Sequence, residues 1–189
     1  MKKLIQFTIA LLLLAVMAPS LQAQGWTSDP VHSTVAFKVR HIVTPMIGKF
    51  DKFDVAIKWT PDNLGQSSIN ATVDATSVNT GNKGRDGHLQ GPDFFDAKTH
   101  PEWSFTSKSI EKKGENEFVA TGDMTMRGKT MSMEVPFTFL GAMEMDKGNK
   151  AGFETEFVIK RSEFGLGGDM GGGIGDDVTI MVLLEMNGK

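Results

Sequence analysis

Apolar and polar residues alternate with a period of two through most of the chain after residue 24. This period is typical of β-strands that bury one face and expose the other. It recurs in residues 35–39, 53–59, 69–75, 103–107, 118–126, 131–139, 153–159 and 178–186. Residues 61–65, 112–114 and 146–149 have the composition of hairpin turns. The pattern therefore predicts an all-β domain of about eight antiparallel strands.

One long segment interrupts this series of short turns. Residues 77–105 are rich in glycine, proline, aspartate and asparagine. A connector of this length inside a compact domain is usually functional or has local structure of its own, and we expect short helical turns in its 84–96 region. The alternation leaves both a sandwich and a closed barrel open, because either architecture buries one face of every strand. It also leaves open which face of each strand points inward.

The first residues have the organisation of a secretory signal peptide. Lys2 and Lys3 precede an almost unbroken apolar run over residues 4–18, and Ala23 ends a processing region. A retained membrane anchor is the alternative, but the apolar run is shorter than the ~20 residues that a spanning helix needs. We predict a Sec-type signal peptide over residues 1–23 and one domain over residues 24–189. The mature protein is then periplasmic or secreted, with no membrane span.

Composition narrows the classes of function. The chain has no cysteine, so the fold must be stable without disulfides, and no lipid can be attached through a cysteine. The formal net charge is −3, or −5 without Lys2 and Lys3, and no basic stripe is present. This charge distribution argues against nucleic-acid binding. The four histidines are scattered and lack the spacing of metal ligands.

Three pairs of methionines invite a more specific hypothesis. The pairs are Met124/Met126, Met131/Met133 and Met143/Met145, and a spacing of two places each pair on one face of a strand. Adaptable packing is the simpler explanation, because the methionine side chain is flexible and fills irregular spaces. Thioether ligands also suit Cu(I), so a periplasmic Cu(I)-handling protein stays an alternative.

Short motifs distributed over the whole predicted domain resemble those of the YceI-like family. In chain order they are Trp26, Asp29, His32 and Ser33; Phe37, Val39 and His41; a G-x-F turn at residues 48–50; Ser77, Thr80, Gly81, Arg85, Asp86, His88 and Leu89; Phe94, Phe95 and Asp96; Gly122, Asp123, Met124, Thr125 and Gly128; and residues 161–165. Proteins of that family are exported, lipocalin-like β-barrels that bind polyisoprenoids and related long-chain lipids.

The resemblance implies an antiparallel eight-stranded lipocalin-like β-barrel whose interior holds a long-chain apolar lipid, either a polyisoprenoid or an isoprenoid-quinone-like molecule. It implies a binding or transport protein with no catalytic residues, no metal and no cofactor other than that lipid. The residues expected to line the barrel are Phe37, Phe53, Ile57, Trp59, Phe105, Met133, Phe137, Phe157 and Ile159. An enzyme on the same barrel stays an alternative, and edge strands could pair in a homodimer.

Arg85, Asp86 and His88 form the densest polar group of the connector. Catalysis by His88 would require a nucleophile or a third partner that the sequence does not offer. We favour a structural function, in which Arg85 and Asp86 attach the connector to the barrel by hydrogen bonds. The ligands of the resembled family suggest another hypothesis, in which Arg85 or His88 binds a polar head group such as pyrophosphate at the barrel mouth.

Overall fold

β-Strands make up most of the described chain, which in this computed structural model comprises residues 24–169 and 171–188. The strands are β1 Gln24–Ser28, β2 Thr34–His41, β3 Thr44–Phe50, β4 Phe53–Trp59, β5 Ser68–Asp74, β6 Val78–Asn79, β7 Glu102–Lys112, β8 Glu117–Met126, β9 Lys129–Met143, β10 Lys150–Lys160 and β11 Ile174–Gly188. The α-helix α1 spans Lys83–Gln90, and 3-10 turns span Leu64–Gln66 and Ala75–Ser77. The predicted signal peptide lies outside the described residues, within which no helix is long and apolar enough to cross a membrane.

Eight strands close into an antiparallel barrel in the order β1-β4-β5-β7-β8-β9-β10-β11, and β11 pairs back with β1. Strands β2, β3 and β6 continue the sheet from the other part of β11. Closure pairs the strand edges that an open sandwich would leave free. The predicted eight-stranded barrel is therefore confirmed, as is the prediction of short helical structure in the connector.

The strand β1, which closes the barrel, was not predicted by the alternation because Trp26 is its only large apolar residue. It pairs with the last residues of the fifteen-residue strand β11, whose earlier residues pair with β2. Where β11 changes partner, the Glu185 carbonyl accepts hydrogen bonds from the Asp29 N–H (2.8 Å) and the Ser33 hydroxyl (3.0 Å). Part of the first sequence motif therefore forms the junction between β1 and β2.

The turns follow the residue types that their geometry requires. Arg127 and Gly128 connect β8 to β9 with φ values of 47° and 73°, as a two-residue hairpin of type I′ requires. The prediction of a turn at residues 48–50 is wrong, because these residues belong to β3. Gly48 lies opposite Phe37, and a Cβ at this position would collide with the Phe37 ring. The glycine therefore allows close strand packing rather than a turn.

The structure also determines which faces point inward. The apolar faces of β2, β4 and β7 are buried, and two aromatic clusters fill the ends of the barrel. At the far end, which carries the β7–β8 and β9–β10 turns, Trp59 packs against Phe118, Phe137, Phe139 and Phe153. At the connector end, Phe95 packs against Phe37, Phe50 and Trp103. The space between these clusters contains the candidate site.

Candidate functional site

The larger cavity in the barrel has a volume of about 150 Å³. Every strand from β2 to β11 except β6 contributes to its wall, and almost all of the contributing residues are apolar. The polar residues on the wall are Ser104, Glu154 and Thr155. Burying a charged group in such surroundings without partners is costly, whereas an apolar chain loses only unfavourable contact with water. The cavity therefore suits an uncharged, apolar ligand.

A second cavity of about 80 Å³ lies between the barrel and the connector. The connector contributes Leu89, Phe94 and Phe95 to its wall. Four residues line both cavities and separate them: Phe50, Trp103, Met126 and Ile180. The interior is therefore one apolar space divided by four side chains. One of them is a methionine, whose unbranched side chain changes conformation readily.

Strands β9 and β10 separate along part of their length, and the larger cavity reaches the barrel wall there. Their pairing extends from Lys150, opposite Met143, only as far as Glu154, opposite Thr138. Pro136, which has no N–H to donate, lies where the strands separate, and its carbonyl accepts a hydrogen bond from the Thr155 hydroxyl (2.5 Å). Thr155 also lines the larger cavity. This separation is a candidate entrance to the interior.

The residues predicted to line the interior are all buried or half-buried, but they occupy different positions. Those on the larger cavity are Ile57, Phe105, Phe137 and Phe157, and those on the smaller cavity are Phe37 and Ile159. Phe53, Trp59 and Met133 line neither cavity. Trp59 instead belongs to the aromatic cluster of the far end, and the other two pack against the core.

Sequence reasoning did not identify the four residues shared by the cavities. Trp103 belonged to a predicted strand, but alternation does not distinguish a residue that lines a cavity from one that fills the core. Its indole N–H is buried and has no hydrogen-bond partner among the described residues. The indole N–H groups of Trp26 and Trp59 are buried without a partner in the described part of the chain as well, so this feature does not distinguish the cavity wall.

The Arg85 and Asp86 side chains both bind Thr80, which itself belongs to the connector and follows β6. The Asp86 carboxylate accepts hydrogen bonds from the Thr80 N–H (2.8 Å) and hydroxyl (2.6 Å). The Arg85 guanidinium donates to the Thr80 hydroxyl and carbonyl, both at 2.8 Å. His88 is exposed and packs edge-on against the ring of Phe94. None of the three predicted residues lines either cavity, and the bonds of Arg85 and Asp86 order the start of the connector without reaching a barrel strand.

Arg161 is a buried cation that sequence reasoning identified only as part of a motif. It is 8% exposed and lines the smaller cavity. Its guanidinium donates to the carbonyl groups of Gly175 (2.9 Å), Leu166 (2.7 Å), Gly168 (3.0 Å) and Ile174 (3.5 Å). Within the described residues it forms no ion pair with a carboxylate. The side chain thus orders the glycine-rich loop between β10 and β11.

The one group of possible metal ligands among the described His, Asp and Glu residues is Asp29, His32 and Glu185. The Lys150 ammonium lies 2.9 Å from the Asp29 carboxylate and 2.8 Å from the Glu185 carboxylate, so a cation is already supplied by the protein. Hydrogen bonds from Lys150, His32 and the Val31 N–H hold the pKa of Asp29 well below its ordinary value. The bonds to Glu185 and Asp29 raise the pKa of Lys150. This cluster joins the β1–β2 junction to β10 and β11.

The methionine pairs do not converge on one place. Met124 and Met126 are buried and line the larger cavity. Met131 is half-buried and lies opposite Met124 on the neighbouring strand. Met143 and Met145 are exposed at the far end. The buried pair therefore has the geometry of flexible packing around a cavity, and the arrangement adds no support to the Cu(I) hypothesis.

Comparison with known proteins gives matches along almost the whole described chain. Residues 26–186 match the YceI-like domain family. The YceI protein of Escherichia coli O157:H7 is 34% identical over 142 residues, which are 74% of this chain and 74% of that protein. A UPF0312 protein of Pectobacterium carotovorum is 28% identical over 188 residues, which cover 98% of this chain and 97% of that protein.

Solved structures resemble this barrel closely. The crystal structure of Burkholderia cenocepacia BcnA has a TM-score of 0.77 and 30% identity, and the match covers 84% of this chain and 98% of that one. A polyisoprenoid-binding domain from Saccharophagus degradans, implicated in plant cell wall breakdown, has a TM-score of 0.66. It is 14% identical, with coverage of 87% of this chain and 98% of that domain, so this likeness concerns the fold.

Proposed function

The chain belongs to the YceI-like domain family, and on this basis we propose that it is an exported carrier that holds one long-chain apolar lipid inside its barrel. The proposed ligand is a polyisoprenoid or an isoprenoid-quinone-like molecule. The structural neighbour from Saccharophagus degradans, described as a polyisoprenoid-binding domain, supports this ligand class. Membership of the family supports a periplasmic location and a binding function rather than catalysis.

The single observation that carries the proposal is the apolar interior. Two adjoining cavities, one inside the barrel and one between the barrel and the connector, are lined almost entirely by aliphatic, aromatic and methionine side chains. Ligand sites of this kind bury most of a ligand and hold it by shape and apolar contact. A charged substrate would find few compensating partners on this wall.

The driving force is the removal of the lipid chain from water. Each buried methylene contributes about 0.8 kcal/mol before the costs of association and ordering are subtracted. A long chain needs more room than either cavity offers. We therefore expect it to extend through both, with Met126 and its three neighbours on the dividing wall moving apart. The required adjustment suits a methionine, which rearranges at small cost.

The experiment that tests the function is mass spectrometry of the organic extract of the protein, purified without detergent from its native compartment. A stoichiometric isoprenoid or other long-chain lipid would support the proposal and name the ligand. An empty protein that also fails to retain polyprenyl and quinone lipids after incubation would overturn it.

A further inference from the structure

The β2–β3 hairpin ends in an apolar tip that points into solvent. Ile42 and Val43 at the turn are 61% and 90% exposed, and Ile47 on β3 is 60% exposed. Single exposed apolar residues are ordinary on protein surfaces. Three large aliphatic side chains are exposed on this one hairpin, two of them adjacent at its turn, and exposed apolar patches commonly mark interaction sites.

The backbone at this tip is held in an unfavourable conformation. Ile42 has a φ of 54°, which is rare for a β-branched residue. The conformation is fixed by a hydrogen bond from the Ile42 N–H to the Gly173 carbonyl (2.7 Å) and by one from the Arg40 guanidinium to the Ile42 carbonyl (2.5 Å). Glycine or asparagine would adopt this φ with less strain. An isoleucine kept here at a cost in stability points to a function for its exposed side chain.

The charges beside the tip are positive. Residues 34–48 contain Lys38 and Arg40 and no acidic residue, although the chain as a whole has a net charge of −3; Lys49, farther from the tip, is paired with the Asp51 carboxylate (2.9 Å). Lys38 lies directly opposite Ile47 in the hairpin, so a cation adjoins the apolar patch. An apolar patch bordered by lysine and arginine is the combination that binds anionic membrane surfaces.

The far end of the barrel provides a contrast. Met143 and Met145 are 66% and 54% exposed there, so that end is also apolar. These methionines alternate with Glu144 and Asp146, which an anionic surface would repel. The exposed methionines are therefore interspersed with acidic residues, whereas the charged residues within the β2–β3 hairpin are basic.

The hairpin tip adjoins the ligand space. His41 and Met46, on either side of the tip, line the smaller cavity together with Ile174 of the neighbouring strand. A surface that contacts the tip would therefore lie close to this cavity.

We propose that the β2–β3 hairpin tip docks the protein on the surface of an anionic lipid bilayer. Ile42 and Val43 enter the boundary between head groups and acyl chains, and Lys38 lies beside the lipid phosphates. The purpose of this docking rests on the carrier function proposed above, because it would place the smaller cavity against the membrane that supplies or receives the lipid.

The test is co-sedimentation of the whole protein with two kinds of vesicle, phosphatidylcholine alone and equal parts of phosphatidylcholine and phosphatidylglycerol. The docking variant is Ile42→Asn with Val43→Ser, in which asparagine tolerates the positive φ. The matched control is Met143→Ser with Met145→Ser, which removes exposed apolar surface beside Glu144 and Asp146 at the far end. Any binding by the apolar segment 4–18 is common to all variants and cancels in the comparison.

We expect the unaltered protein to prefer the anionic vesicles and to dissociate from them in high salt. The docking variant should lose at least about tenfold in vesicle affinity through the lost apolar contact. Lys38→Gln should lose about fivefold, and only on the anionic vesicles. The control should bind as the unaltered protein does. Equal binding by the docking variant, or no preference for anionic vesicles, would overturn the proposal.

The same experiment distinguishes a failure of membrane docking from a failure of the carrier function. Circular dichroism and lipid extraction on the same preparations report whether each variant is folded and loaded. A loaded protein that ignores anionic vesicles would overturn the docking and leave the carrier function intact. A protein that docks through its tip and contains no lipid would overturn the carrier function and leave the docking intact.

Discussion

Filling the larger cavity from its own wall should exclude the ligand without harming the fold. Ala71 of β5 lies between Val55 and Phe105 on the neighbouring strands, and all three line that cavity. Ala71→Leu adds three carbons, about 80 Å³, which is roughly half of the 150 Å³ available. The extra side chain should therefore occupy existing space rather than displace its neighbours.

The magnitude follows from two independent estimates. Three added carbons at about 0.8 kcal/mol each contribute about 2 kcal/mol when they are fully buried. Filling about 80 Å³ of cavity at about 24 cal/mol per Å³ contributes the same amount. We expect the ligand-free variant to be more stable to urea by up to about 2 kcal/mol, with at least a tenfold loss of lipid on extraction.

The control is Ala56→Leu on the adjacent strand β4, where the side chain is exposed. It adds the same three carbons outside the barrel, and it should change neither the stability nor the lipid content appreciably. A folded Ala71→Leu protein with undiminished lipid would refute the assignment of the larger cavity as the ligand site. A loss of stability as large as the expected gain would show that the cavity cannot accept the added volume.

Three further predictions concern the fold around the site. Gly122→Ala should lower the free energy of unfolding by about 1–3 kcal/mol, because the Cβ of the alanine would collide with the Thr106 carbonyl on the neighbouring strand. An unchanged urea midpoint would contradict this expectation. Arg161→Met should cost about 3 kcal/mol and increase cleavage by protease between β10 and β11, since two loop carbonyls and two carbonyls of β11 lose their donor, and resistance equal to that of the unaltered protein would count against an ordering function. Asp29 contributes stability that is complete above its ordinary pKa of 3.8 and is lost as the pH falls towards its lowered folded-state pKa. In Asp29→Asn the urea midpoint should therefore fall less steeply below that pH, whereas parallel curves would show that the carboxylate is not responsible.

Sequence patterning was informative wherever one residue's environment depends on its neighbours along the chain. Period-two alternation located seven of the eight barrel strands, and turn composition located the β4–β5, β7–β8 and β9–β10 connections. It did not predict β1 or β3, because β1 has one large apolar residue and β3 contains Gly48 and Pro45. Short motifs were better guides than periodicity to the connector, where Arg85 and Asp86 bind a shared threonine of the connector itself.

The sequence alone determined the strand-rich character of this protein, its family and the apolar nature of its interior, because these depend on residue types and their spacing. The tertiary structure alone decided which strand face points inward and which apolar residues fill the core. It placed Trp59 in the far-end cluster and left Phe105 on the cavity wall. The physical reason is that a cavity is the space left between strands distant in sequence. Its position depends on how barrel closure brings their side chains together, and no local pattern specifies that arrangement.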